Sequence, residues 1–421
     1  MRVIIANYRY FIAGGPEKYM FKFMESAKKM GIDVIPFSVN NPQNEYTPYS
    51  KYFAKPRSNQ LMYADTQKSV ENLIGLVRAT VWNYDAERKL RKLIKDTSPD
   101  AVYILHEVNH LSPSIIRAAK KEGIRVVHRI SDFFMFCPKY DFLCQNEICE
   151  ECLHGNYRKA IKNKCVKNSL AGTLLRVLAM KLYAATKVFE DVDTFVCTCE
   201  FSKNKLIEGG VPASKIECVP TFIDVSKITP CFHDDKYFLF LGRMAHQKGR
   251  IYAIKAMNYL KNTDYVLKIT GQISDSEEDQ KIWNYIKENQ LESKVIFTGF
   301  KYGVELEDLI SKATCVVCPA IWYENMPNTV IEAYAYGKPV VASRIGSLAE
   351  IVVDGKTGML FRMKDAKDMA EKLQKFVLDD SLSERLGRQA REKCERDYNE
   401  QLHMNKVISL LQGSNVEEVK R

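Results

Sequence analysis

Residues 323–343 read Y-E-N-M-P-N-T-V-I-E-A-Y-A-Y-G-K-P-V-V-A-S. The turn formers Asn325, Pro327 and Asn328 lead into a helical pattern, Gly337-Lys338-Pro339 stops it, and Val340-Val341-Ala342 reads as a buried strand. Residues 315–318, just upstream, read as another strand. Strand, loop, helix and strand in succession are the unit of an α/β protein with a parallel sheet. A loop that opens a helix past a strand end turns backbone N–H groups and a positive dipole towards an anion. Glu324 falls in that loop and Glu332 falls inside the helix. A carboxylate in that loop repels a phosphate, so Glu324 suits sugar hydroxyls.

Working outward, apolar strand runs alternate with helical patterns. Residues 3–6, 18–30, 34–37, 101–105, 112–122 and 126–130 form one such series. Residues 237–241, 250–260, 265–270, 279–289 and 295–298 form a second. This alternation predicts an α/β fold made of two Rossmann-like, doubly wound domains facing a central cleft. The expected spans are 1–225 for the first domain, with a cysteine-rich basic insert near 137–189, and 232–395 for the second. A helical stretch over 382–411 is long enough to cross the cleft, and 396–421 is expected to return towards the first domain.

With 421 residues the chain exceeds what one core usually fills. At 46% hydrophobic and 27% charged it has the composition of an ordinary globular protein. No apolar run approaches the roughly 20 residues that span a bilayer, and no leader pattern opens the chain. The expected compartment is therefore the cytoplasm or the inner face of the plasma membrane, where the twelve cysteines would be thiols or metal ligands. The net charge of +10 lies wholly in residues 1–230, while residues 231–421 balance to zero. The first half is thus the one suited to an anionic surface or substrate.

The second series opens with F-L-F-L-G-R-M-A-H-Q-K-G-R, a strand leading into Gly242, Arg243, Lys248 and Gly249. Together with Glu324 and Glu332, with 269–271, 297–300, 346–352 and with 354–358, this resembles retaining glycosyltransferases of family 4, which have the GT-B fold. The resemblance covers nearly all of the second domain and implies roles residue by residue. Arg243 and Lys248 would neutralise charge on a departing nucleoside diphosphate. Glu324 would meet the donor sugar and Glu332 the ribose hydroxyls, and the Met326-Pro327-Asn328 turn would hold phosphate or sugar oxygens through the backbone N–H groups around Pro327. The base would lie against the segment that ends at Phe300. Gly14-Gly15-Pro16-Glu17, after the first strand, would approach the diphosphate from the other side of the cleft. No metal or other cofactor is expected, since Arg, Lys and a helix dipole supply the charge.

Many members carry a His before the Asp of the first-domain site. Here that place is Ser131, followed by Asp132, which leaves His106, His110 and His128 as equal candidates. No G-x-G-x-x-G follows the first strand, which speaks against a dinucleotide enzyme. Cys144, Cys149, Cys152 and Cys165, with Cys137 upstream and His154 among them, could hold a structural metal or be buried thiols. Residues 153–189 contain eight basic and no acidic residues, and L-L-R-V-L-A-M-K-L-Y-A-A-T-K-V-F within them has apolar residues at helical spacing with cations between. That pattern fits either a core helix with a solvated basic face or one lying on anionic lipid. Nucleic acid is not an expected partner, for no such module is present.

These readings give a retaining transferase that moves a sugar from a nucleoside-diphosphate-sugar to a glycan or polyprenyl-linked acceptor in surface-polysaccharide synthesis. Epimerases and phosphorylases of like architecture, and an inactive scaffold suggested by Ser131, are the alternatives.

Overall fold

The computed structural model describes residues 1–56, 70–272, 274 and 276–413. The first domain begins with β1 (Arg2–Asn7), β2 (Asp33–Phe37), β3 (Ala101–His106) and β4 (Arg125–Arg129). A two-residue hairpin, β5 (Leu143–Cys144) and β6 (Glu147–Ile148), interrupts the series before β7 (Thr194–Cys197) and β8 (Ile216–Cys218). Six of these strands form one sheet in the order β2-β1-β3-β4-β7-β8, with every neighbouring pair parallel. The second domain carries β9 (Tyr237–Phe240), β10 (Val266–Ile269), β11 (Val295–Phe297), β12 (Cys315–Cys318), β13 (Val340–Ser343) and β14 (Gly358–Phe361). They form a second parallel sheet, ordered β11-β10-β9-β12-β13-β14.

Parallel strands are covered on both faces by their crossover helices, and their sequences show it: Val3, Ile4, Ile5 and Ala6 are all fully buried, as are Val340, Val341 and Ala342. Each sheet therefore has two cores, one per face. In such sheets ligands bind beyond the carboxyl ends of the strands where the order reverses. That place falls between β1 and β3 in the first sheet and between β9 and β12 in the second.

The helical stretch expected over 382–411 is two helices, Leu382–Asp397 and Glu400–Gln412. Asn399 breaks the run by capping the second helix through its side chain, which accepts from Leu402 N at 2.8 Å. The first packs on the second domain, where the Gly387 backbone leaves no space for a Cβ beside Gly337 O. The second crosses to the first domain, where Met404, Val407, Leu410 and Leu411 join the core of Val3 and Ile5. His403 anchors it, with Nε2 2.8 Å from Tyr19 Oη and Nδ1 2.6 Å from Pro220 O. Burial pushes that ring down to about 3, so it is neutral. Residues 414–421 of the expected returning segment lie outside the described residues.

Candidate active site

Two loops meet at the reversal point of the second sheet. The first leaves β9 as residues 241–249, and the second leaves β12 as residues 319–327. They are zipped together by Ile321 N, which donates to Gln247 O at 3.0 Å. They also pack tightly at Gly249, which has a φ of 71° and would place a Cβ only 1.8 Å from Pro319 O. Only glycine fits both the conformation and the space.

This approach puts Lys248 beside Glu324, Nζ to Oε1 at 2.7 Å. Trp322 Nε1 donates to the same oxygen, also at 2.7 Å, and Ser347 Oγ donates to the Glu324 carbonyl at 2.7 Å. Glu324 is buried, so its negative charge is held by one cation and one indole rather than by bulk water. Arg243, on the same loop as Lys248, is exposed and stands within electrostatic reach of Tyr140 of the first domain. Gly242 N donates to Thr270 Oγ1 at 3.4 Å.

The helix Asn328–Ala335 starts directly behind Glu324, with Pro327 at its N-cap and no side chain capping it. Gly15 of the facing domain comes close enough that a Cβ on it would lie 3.2 Å from Asn328 Nδ2. Gly14 is the N-cap of the helix Gly15–Lys29, so two helix starts face one another across the cleft. Met326 is held by Thr221 N, which lies 3.2 Å from its sulfur. Glu332 borders a cavity of about 320 Å³ shared with Lys22, Phe222, Asp224, Gly303 and Glu307. Burial raises the Glu332 carboxyl above its usual range, against the pull of Lys18 and Lys22. Phe300 follows β11, and its ring is 64% exposed.

Asn325, which the sequence marks only as a turn former, joins the domains. Its Nδ2 donates to Ile130 O at 2.5 Å, and its Oδ1 accepts from Ser202 Oγ at 2.6 Å and from Thr198 Oγ1 at 3.1 Å. Glu350 makes a second bridge by capping the first-domain helix Glu200–Glu208. Its carboxylate accepts from Glu200 N at 3.0 Å and Phe201 N at 2.8 Å. Nothing local in the sequence reveals either bridge, since the partners lie more than a hundred residues away.

The three histidines separate clearly. His128 is buried between Phe189 and Phe195, with Nε2 3.1 Å from Glu107 Oε2, and belongs to the core. His110 stacks on Tyr8 at 4.7 Å. His106 closes β3 at the reversal point, edge-on to Tyr8, with Nε2 3.1 Å from Asp132 Oδ2. Burial works against its charged form, but Asp132, with Glu107 and Glu17 behind it, outweighs burial and holds the ring above its usual value. Ser131 Oγ donates instead to Leu105 O at 2.8 Å.

The cysteines of the insert gather loosely. Cys165 Sγ lies 3.8 Å from Cys144 Sγ, and burial, with Cys137, Cys149, Cys165 and Cys144 around it, pushes Cys152 up to about 12. Among the described residues no three or more His, Cys, Asp or Glu side chains are grouped to hold a metal ion. No helix among them is long and apolar enough to cross a membrane.

Two sequence families divide the chain between them. Glycosyltransferase Family 4 matches residues 13–227, and Glycosyl transferases group 1 matches residues 223–393. An uncharacterized glycosyltransferase of Methanocaldococcus jannaschii is 28% identical over 305 residues, 69% of this chain and 79% of its own length. An uncharacterized protein of the cps region of Klebsiella pneumoniae is 23% identical, covering 83% of this chain and 87% of its own. The fold is shared with the Anabaena protein HepE, solved with UDP-glucose, at a TM-score of 0.68 and 14% identity over 98% of this chain and 100% of that one. The two parallel-sheet domains are those of the GT-B fold, and the chain belongs to glycosyltransferase family 4.

Proposed function

We propose that this glycosyltransferase takes a sugar from a nucleoside-diphosphate-sugar and passes it, with retained configuration, to a glycan or polyprenyl-linked acceptor of a surface polysaccharide. The observation that carries the reading is the buried Lys248–Glu324 contact at the reversal point of the second sheet, opposite the Gly14-Gly15 loop. Lys248 and Arg243 supply positive charge where a diphosphate leaves, in place of a divalent cation. Glu324, whose charge Lys248 already balances, is a hydroxyl acceptor for the donor sugar rather than a general base. Glu332 accepts the ribose hydroxyls, a role that suits a carboxylate beside a cavity and opposite two lysines.

In this reading no protein nucleophile forms a bond to the sugar. The acceptor oxygen bonds to the anomeric carbon on the face from which the diphosphate departs, and a leaving phosphate oxygen takes the acceptor proton. The protein contributes positioning and charge. The cps-region relative and the UDP-glucose complex of the structural neighbour support a polysaccharide product and a nucleotide-sugar donor. A thermal-shift panel of UDP-, GDP-, ADP- and dTDP-sugars tests the reading, because a bound donor raises Tm by mass action. One base family should stabilise the protein, and no shift with any member of the panel contradicts the donor assignment.

A further inference from the structure

The helix Leu170–Thr186 has two apolar faces. Thr173, Val177, Ala179, Met180 and Tyr183 are buried against the first domain. On the other side Leu170, Leu174 and Leu178 are 47%, 46% and 61% exposed, at a spacing of four that stacks them in one ridge. Lys181 and Ala185 continue the ridge at the solvent surface. The first face packs on the fold, and the second is exposed among the described residues.

Charge surrounds the ridge. Arg158, Lys159, Lys162 and Lys164 are exposed on the segment that precedes the helix and Lys187 just after it, with Lys159 3.7 Å from Glu151 and Lys187 3.4 Å from Glu190 in exposed, weak pairs. Arg176 does not belong to this group: it turns inward, its guanidinium 4.4 Å over the Phe134 ring. Beyond the far end of the helix lies an open groove of about 800 Å³, and none of the residues that line it belongs to the Glu324 site. Leu182 and Thr186 line one wall of it, and Arg88, Arg91, Lys92 and Lys121 line the other. Several of these cations are already paired, Arg91 with Glu122 and Lys121 with Glu87, so the groove is a weaker anion site than its lysine content implies. Tyr84 stands at its rim, 72% exposed, as an aromatic with one wet end.

We infer that the outer face of this helix docks on an anionic lipid bilayer, with Leu170, Leu174 and Leu178 entering the headgroup boundary and the flanking lysines meeting lipid phosphates. The charge pattern favours lipid over a second copy of the chain, because two such faces brought together would oppose cation to cation. A bilayer presents the opposite sign over a plane, which matches a straight ridge with cations at both ends. The inference adds a location to the polyprenyl-linked acceptor read above, and it is independent of the chemistry at Glu324.

The test is sedimentation of the full chain with vesicles of phosphatidylcholine alone or mixed with phosphatidylglycerol. Binding should require phosphatidylglycerol and weaken as salt is raised. Leu174→Glu with Leu178→Glu, and separately Lys159→Glu with Lys162→Glu, should each lower partitioning about tenfold or more. Hydrolysis of the donor without vesicles should be unchanged in both, which keeps a failure of docking distinct from a failure of the transferase reading. Equal binding to neutral vesicles, no binding, or variants that bind like the parent would overturn the inference. So would a parent that is dimeric in solution and becomes monomeric with the leucine pair replaced.

Discussion

Lys248 Nζ and Glu324 Oε1 lie 2.7 Å apart although 76 residues separate them, because Gly249 lets the loop after β9 touch the loop after β12. Glu324 is buried and Lys248 half-buried, so removing Lys248 leaves a buried carboxylate without its cation, and removing Glu324 frees a partly solvated ammonium. In Glu324→Ala, turnover should fall by about 10²–10³, the scale of losing one preorganised polar contact to a transition state. Nucleotide binding should largely persist, since Glu332 and the helix start at Asn328 are untouched. Kinetics with the identified donor, beside calorimetry with the free nucleotide, separates the two effects. Unchanged turnover would remove Glu324 from the site.

Gly249→Ala tests the loop contact itself. The added Cβ would meet Pro319 O in a backbone conformation that alanine rarely adopts, so the loops must part. A loss of about 2 kcal/mol or more is expected, with a lower Tm and lower turnover together. Gly242→Ala is the control. Its nearest neighbour would be Phe240 at 3.9 Å and its φ is not positive, so Tm should barely move.

Asn325→Ala removes one donor and one acceptor that cross between the domains, to Ile130 and to Ser202 and Thr198. The Ile130 carbonyl and the Ser202 hydroxyl then lose the Asn325 side chain, while Thr198 Oγ1 keeps the Asn325 carbonyl at 3.2 Å, at a total cost of about 1–3 kcal/mol. The expected result is a larger fall in turnover than in nucleotide affinity, because most residues of the proposed nucleotide site, Arg243, Lys248 and Glu332 among them, belong to the second domain. Glu350→Gln drops the charge and leaves one acceptor oxygen for two N–H donors, and should cost about 1 kcal/mol at this exposed helix start.

Glu332 sets binding against stability. Its folded pKa is raised by burial, so the contribution of its protonated form is fully present below the unfolded value of about 4.3 and is lost as pH rises through the folded value. At neutral pH the buried charge is therefore a net cost. Glu332→Gln should raise the Tm of the protein alone near pH 7, with the gain vanishing in acid, and should shrink the Tm shift given by a nucleoside diphosphate. A variant that loses stability at neutral pH, or binds nucleotide as well as the parent, would contradict the assignment.

Much of this was legible in the sequence because it depends on local order. The loop-helix-stop pattern around Pro327 and Gly337 places Glu324 before a helix and Glu332 inside it, and the structure has a helix at Asn328–Ala335. The strand runs were equally clear, since strands covered on both faces are apolar throughout. What stayed hidden depends on distant pairing. Three histidines had equal claims until the sheet placed His106 at its reversal point and His128 in the core beside Glu107. Asn325 looks like any turn residue until Ile130, Ser202 and Thr198 come to meet it. The break at Asn399 was also missed, because a single capping side chain hardly disturbs a helical pattern that resumes at once.

The central claim is transfer with retained configuration from a nucleoside-diphosphate-sugar held between Lys248, Glu324 and the Gly14-Gly15 loop. Its most direct test needs no acceptor. Proton NMR can follow slow hydrolysis of the donor that the thermal-shift panel selects and read the anomeric form of the sugar first released, before mutarotation. An α-linked donor should give the α anomer first, and the Glu324→Ala protein should give almost none. Release of the β anomer first would show inversion and contradict the account.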